Sequence, residues 1–346
     1  MSPVRARTSR ERAGAGRTGD TGARTWAVVG PALLAGAGAV AARAVLRVLS
    51  RPAAAPEPTA MARAGTQSWS GHLHGPGQLS RPGIAAALER TNFRGRTVTL
   101  AGGPALAAAA ATTAAAGAGS PPAAAAALVA GLGAGAVGLY DDVVGARPEQ
   151  RTAKGFRGHL SALRAGRLTS GLVKIAGVGA AGLAASALLA ADEAGRAGAG
   201  RDGHPGRVRV GADLLLGAGV IAGLANLVNL FDLRPGRAAK VGLLVGAPLA
   251  AGPVRGLVAG PVGATAALLG DDLDEKVMLG DCGANALGAL LGVALAARTG
   301  TVGRAALLTG IVALTAASEK VSFTQVIERT PGLRELDALG RSTGRG

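Results

Sequence analysis

Four carboxylates stand where acidic side chains are costly unless they do something. Asp141 and Asp142 sit side by side in GLYDDVVG, directly after a long run of small apolar residues. Asp232 lies in NLVNLFDLRPG, three residues after Asn229 and six after Asn226, and Asp281 lies in GDDLDEKVMLGDCGAN. Each follows the end of an apolar run. Carboxylates gathered at one interface suit a hard divalent cation such as Mg²⁺, which takes one or two protein carboxylates and completes its shell with water and substrate phosphate. The basic stretch 154–174, with Lys154, Arg157, Arg164 and Arg167, suits an anionic substrate. Lys174 ends that stretch several residues inside an apolar run, where a charge is expensive and usually functional, although its stem could let it snorkel to the headgroups.

Each residue also has a plainer reading. Asp281 could be the N-cap of a helix expected from Gly283. Asn226 and Asn229 could be hydrogen-bonding glue between membrane helices. Asp141 and Asp142 could be an interfacial stop, but adjacent like charges repel and gain nothing structurally. Asp271, Asp272, Asp274 and Glu275 read as solvated charge, and His159, His72 and His74 as loop residues. Cys282, the only cysteine, has no internal disulfide partner and reads as a small residue beside Asp281.

The elements that must position these groups follow from composition. The 346 residues are 49% hydrophobic, with 57 glycines and 2% aromatics, and long Ala-, Leu-, Val- and Gly-rich blocks recur without charged faces at helical spacing. That pattern predicts an all-α, polytopic transmembrane bundle whose small residues let helices approach closely in lipid. Spans are expected near 26–44, 99–119, 121–139, 169–190, 210–230, 241–252, 255–270, 283–297 and 303–318. The count is about nine, within eight to ten. Residues 1–25 carry six arginines and read as a disordered basic tail. No cleavable signal is expected, since Arg43 and Arg47 follow the first apolar run. Residues 26–320 read as one domain, with 50–98 its longest connection and 321–346 a cytoplasmic tail.

The net charge of +16 could suggest nucleic acid, but its distribution argues for a membrane. Connections after odd-numbered spans, with the C-terminal tail, hold 23 Lys and Arg, against about seven after even-numbered spans. The positive-inside rule then places the odd connections, and all four aspartates, in the cytoplasm, although it leaves the basic N-terminal tail outside.

At these residues the chain resembles the polyprenyl-phosphate N-acetylhexosamine-1-phosphate transferases, the MraY/WecA-type integral membrane enzymes. VTLAGGPALA is similar to the family's Gly-Gly segment, GLYDDVVG to its paired-aspartate motif, NLVNLFDLRPG to its Asn-x-x-Asn-x-x-Asp segment and MLGDCGANALGALLG to its Gly-Asp-x-Gly segment. All four occur in the family's order across about residues 90–320. The resemblance implies a Mg²⁺-dependent enzyme of the plasma membrane, its site facing the cytoplasm. It would move a phospho-N-acetyl sugar from a UDP-sugar to polyprenyl phosphate in cell-envelope glycan synthesis, releasing UMP. The resemblance implies that Asp141 and Asp142 lie near the carrier phosphate and metal, that Asp232 belongs to the catalytic cluster and that Asp281 ligates Mg²⁺; the residues' own chemistry makes Asp232 a second metal ligand or an orienting group, and Lys174, Asn226, Asn229, Lys154 and Arg157 the expected substrate contacts. Expected partners are the UDP-activated amino sugar, the polyprenyl phosphate and the membrane, with room for a homodimer and no nucleic acid. This chain departs from the family at Leu233 and Pro235, where the family has Gly and a second acid, and its C-terminal segment has no histidine. Those departures keep open a non-catalytic relative that binds polyprenyl phosphate or envelope-synthesis partners. A cation-coupled transporter is the third reading, although these acids lie at helix ends and not on broken helices at mid-membrane.

Overall fold

The computed structural model describes residues 12–51, 84–92, 94–145, 147, 162, 164, 166, 169–197 and 207–341. Each expected apolar segment is occupied by a helix. In chain order these are α1 (Arg12–Leu49), the short α2 (Ile84–Ala87), α3 (Gly102–Gly117), α4 (Pro121–Tyr140), α5 (Ser170–Ala197), α6 (Arg207–Phe231), α7 (Arg237–Ala250), α8 (Arg255–Leu273), α9 (Gly280–Arg298) and α10 (Thr301–Ser318). Two short helices, α11 (Phe323–Arg329) and α12 (Leu333–Ala338), follow. One antiparallel hairpin, β1 (Glu89–Thr91) with β2 (Thr97–Thr99), interrupts this all-α architecture.

Among the described residues, six helices are long and apolar enough to cross a bilayer: α1, α4, α5, α6, α9 and α10. The other three expected segments fall outside that set: α3 has 16 residues, α7 only 14 with Pro248 inside, and α8 holds Pro261 and carries Asp271 and Asp272 in its last turn. The helix of α1 also begins inside the segment expected to be disordered, at Arg12.

Local chemistry sets the ends that matter. Ser120 is extended and its hydroxyl accepts from the Ala123 N–H, with Pro121 and Pro122 opening α4. α4 does not stop at Tyr140 but widens into a π-helical turn, Asp141–Gly145, of the kind that re-aims side chains. α6 ends in a turn over 232–236, closed by Gly236 at φ +73°, a backbone region glycine enters without strain.

α9 sits at the centre, packed against α3, α4 and α6 and touching α7 and α8. From Cys282 to Ala294 it is buried on every side, as expected of a helix that is apolar all round. Small residues make this possible. A Cβ on Gly292 would lie 2.6 Å from Cα of Ile221 on α6, and one on Gly283 would lie 3.0 Å from Cα of Gly103 on α3. α10 packs chiefly on α6 and leaves Val302, Val312 and Leu314 exposed, a face suited to lipid. At the far end of the bundle, buried Arg304 donates to the Ala296 carbonyl (3.0 and 2.9 Å), supplying the last turn of α9 with a donor.

Candidate active site

The π turn separates the two adjacent aspartates. Both oxygens of Asp142 accept main-chain N–H bonds from the start of α9, from Asp281 and from Cys282, each at 3.0 Å. Asp142 therefore caps α9 and its negative charge meets the positive end of that helix. Asp141 turns the other way, toward α5, where the Ser170 hydroxyl hydrogen-bonds it and the Lys174 ammonium lies 3.5 Å from Oδ2.

Lys174 joins this group to the next. It pairs with the Asp281 carboxylate and is only 16% exposed. It lies in the second turn of α5, which begins at Ser170, one residue from the expected start of the apolar run. Asn229, in the last turn of α6, donates to Asp281 Oδ1 (2.8 Å) and accepts from Lys174 Nζ (2.9 Å) when its amide is oriented to satisfy both. The carboxyl groups of Asp141 and Asp281 also face each other within hydrogen-bond range. Four helices thus place three carboxylates, an amide and one ammonium at a single end of the bundle. Asp281 does not cap α9; the helix begins at Gly280, at φ +57°, and Asp281 lies within its first turn.

Asp232 stands on the other side of Asp142 and Asp281. It lines a cavity of about 190 Å³ with Asn92, Leu233, Arg234, Pro235, Asp272, Glu275 and Met278. Burial raises its pKa well above the ordinary carboxylate range, and the charges of Asp272, Asp281 and Asp142 push it further. Asp272 and Glu275 are not solvated charges as expected: they are 3% and 6% exposed. The Gly236 N–H donates to Asp272 Oδ2 (3.1 Å), while Glu275 accepts from Asn92 Nδ2 (2.5 Å) and Arg94 Nη1 (2.6 Å). Their burial comes from the 232–236 turn and the β hairpin closing over the end of α8, partners distant in sequence. Asp271 and Asp274 do pair outward, with Arg43 and Lys276.

On the Lys174 side the site opens into a groove of about 500 Å³ between α5, α6, α9 and α10. Its walls are mostly apolar, from Ile175, Val178, Ala222 and Leu230, and Asn226 and Asn285 meet it near the Lys174 end. Asn285 is 1% exposed and donates to the Asp281 carbonyl (2.6 Å), leaving its own side-chain oxygen without a partner. Asn285, Ser170 and Arg90, whose guanidinium donates to the Asp142 carbonyl (3.1 Å), are site residues that the motifs do not single out. Only Asn285, three residues into the GDCGAN segment after Cys282, carries a signal that could have done so.

Lys154 and Arg157 lie outside the described residues, as do His159 and Arg167. Arg164 is exposed. No family model, curated protein or solved structure matches the chain.

The donor set fits Mg²⁺ in its chemistry. Asp281 and Asp232 offer hard oxygens, and the one ammonium of Lys174 is shared between Asp281 and Asp141. Among the described residues no three His, Cys, Asp or Glu side chains cluster closely enough to hold a metal by themselves. Mg²⁺ characteristically needs fewer, because water and substrate phosphate complete its octahedron.

Proposed function

We propose that this protein is a membrane phosphoglycosyl transferase that moves a phospho-N-acetyl sugar from a UDP-sugar to polyprenyl phosphate, releasing UMP, in cell-envelope glycan synthesis. Its site faces the cytoplasm, as the Lys and Arg distribution favours, and further spans beyond the six complete a bundle of about nine. The observation that carries the reading is the two-sidedness of the carboxylate cluster. One side meets an apolar groove within the helices, with Lys174 at its polar end. The other meets a smaller cavity into which Asp232, Asn92 and Arg234 bring polar groups among apolar walls from Leu233, Pro235 and Met278. A reaction between a lipid phosphate and a nucleotide sugar needs two such openings at one reacting centre.

The chemistry asks for positioning more than for a strong base. A phosphate monoester has its second pKa near 6, so the acceptor is largely dianionic at neutral pH. An oxygen of the lipid phosphate attacks the phosphorus that bears the sugar. The bond from that phosphorus to the bridging oxygen breaks, and UMP departs with that oxygen. Lys174, held by Asp281 and Asn229, presents a fixed positive charge where the groove meets the cluster and attracts the incoming phosphate. Asp141 orients Lys174 from the other side, and Asp142 fixes the start of α9 and so the position of Asp281. Asp281 and Asp232 would hold Mg²⁺, which when bound neutralises charge on the diphosphate and on the departing UMP. The apolar groove walls keep the lipid chain out of water while its phosphate reaches the helix ends.

Two readings compete. A relative that binds polyprenyl phosphate without turnover is favoured by Pro235 in place of a second acid and by a C-terminal segment without histidine. A transporter is disfavoured by acids that lie at helix ends. Purified protein in lipid vesicles, supplied with polyprenyl phosphate and UDP-GlcNAc or UDP-MurNAc-pentapeptide, separates them. The transferase forms a lipid-linked diphosphosugar and UMP only with Mg²⁺; the binding protein and the transporter form neither.

A further inference from the structure

The last described segment of the chain folds back onto the turn that carries Asp232. Arg237, at the start of α7, is 3% exposed and grips Asp337 of α12 with two bonds, Nε to Oδ1 (2.8 Å) and Nη2 to Oδ2 (3.0 Å). Its remaining amino group donates to the Thr324 hydroxyl of α11 (2.8 Å). Arg341 donates to the same Asp337 carboxylate (2.7 Å) and to the main-chain carbonyl of Pro235 (3.0 Å). Lys240 closes the set by donating to the carbonyls of Leu336 (3.0 Å) and Asp337 (2.7 Å). Phe231, immediately before Asp232, stacks on Phe323 with ring centroids 5.0 Å apart.

These contacts converge on residues 231–240 from outside the bundle, while Asp272 holds the Gly236 N–H from within. A five-residue turn with a left-handed glycine and few main-chain bonds of its own has little intrinsic rigidity. It is clamped here between a buried carboxylate and a pair of arginines shared by one aspartate.

We propose that Asp337 is a positioning residue for Asp232: through Arg237 and Arg341 it latches the C-terminal helical hairpin onto the 232–236 turn and fixes the Asp232 carboxylate at the site. A bidentate guanidinium–carboxylate pair sets direction as well as distance, which is what holding a turn requires. The latch touches none of Lys174, Asp141 or Asp281, so it acts on one half of the site. Its role in catalysis rests on the transferase reading; its role in holding the turn does not.

The test uses the full chain in lipid nanodiscs, with Asp337→Asn, Asp337→Glu and Arg341→Gln beside the wild type. Amide hydrogen exchange over 232–237 is one readout and steady-state transfer the other. In Asp337→Asn, exchange should rise over 232–237 and over α11–α12 while the first turns of α5 and α9 stay protected. Turnover should fall roughly ten- to a hundredfold, the cost of a reacting group displaced by about an ångström, with KM little changed. Asp337→Glu, which keeps the charge for both arginines, should restore most of the protection, and Arg341→Gln should give an intermediate loss. Unchanged exchange over 232–237 in Asp337→Asn would overturn the latch, as would a rise spread equally through α5 and α9. A wild type that transfers no sugar would remove the proposed function, and the exchange pattern would still decide the latch alone.

Discussion

Removing the Lys174 ammonium would leave the Asp141 and Asp281 carboxyls facing each other with no fixed cation between them. Lys174→Met is therefore expected to lower turnover by the value of one charged hydrogen-bond contact, about 1.5–3 kcal/mol, or roughly ten- to a hundredfold. The amount of membrane-inserted protein should not change, because Met keeps the apolar stem. Quantitative blotting of membranes beside initial rates checks both halves, and full activity in Lys174→Met would reduce the residue to a headgroup contact. Asp142 should behave differently. It satisfies two main-chain N–H groups of α9, whereas an asparagine side chain has a single oxygen to offer them. Asp142→Ala is expected to cost stability of the order of 0.5–2 kcal/mol as a lost helix cap, read as a lowered melting temperature in detergent. Asp281→Asn, which removes a ligand charge but no cap, should melt near wild type. That adjacent acids meant more than an interfacial stop was legible in GLYDDVVG. Their division of labour was not, because it depends on a π turn whose need arises from the neighbouring α9.

α9 and the C-terminal hairpin are the elements on which the site depends. α9 approaches α6 so closely that glycine is the only residue without a steric penalty at 288 and 292. A Cβ on Gly288 would overlap the Leu224 carbonyl of α6. Gly288→Leu should therefore abolish folding or insertion, while Gly310→Ala on α10, where a Cβ meets nothing within 4 Å, should be neutral or slightly stabilising. Detergent-solubilised monodisperse yield separates the two. The hairpin carries a pH signature. Burial pushes the Asp337 carboxyl up, but its hydrogen bonds from Arg237 and Arg341 outweigh this and hold it below the ordinary carboxylate range. A depressed folded-state pKa contributes stability above the unfolded value, about 3.9, that is lost as pH falls through the folded one. Exchange protection of α11 and α12 should stay constant from pH 7 down to about 5 and fall only below about 4. Asp337→Asn should remove that pH dependence. The clasp was invisible in the sequence, where Arg237 and Asp337 stand a hundred residues apart and each reads as an ordinary surface charge.

At the scale of the whole molecule, the helical bundle and the placement of its helices were legible because lipid imposes a strong constraint: long apolar runs become helices. The number that cross was less so, since α3, α7 and α8 are short or Pro-containing and their apolar faces do not report length alone. Asp272 and Glu275 show the same limit for the site. An acidic cluster in a loop looks solvated until the β hairpin and the 232–236 turn close over it. What the whole assembly presents is one end at which an apolar groove and a smaller cavity carrying Asp232 and Asp272 meet the carboxylate cluster. That arrangement underlies the proposal of lipid and nucleotide as co-substrates. The most direct measurement is transfer of radiolabelled phosphosugar to polyprenyl phosphate by purified wild type and Asp281→Asn, each with Mg²⁺ and with EDTA. The account predicts label in a lipid diphosphosugar and equimolar UMP for wild type with Mg²⁺, and neither product in the other three reactions. No product from wild type with either UDP-sugar, or equal transfer by Asp281→Asn, would contradict it.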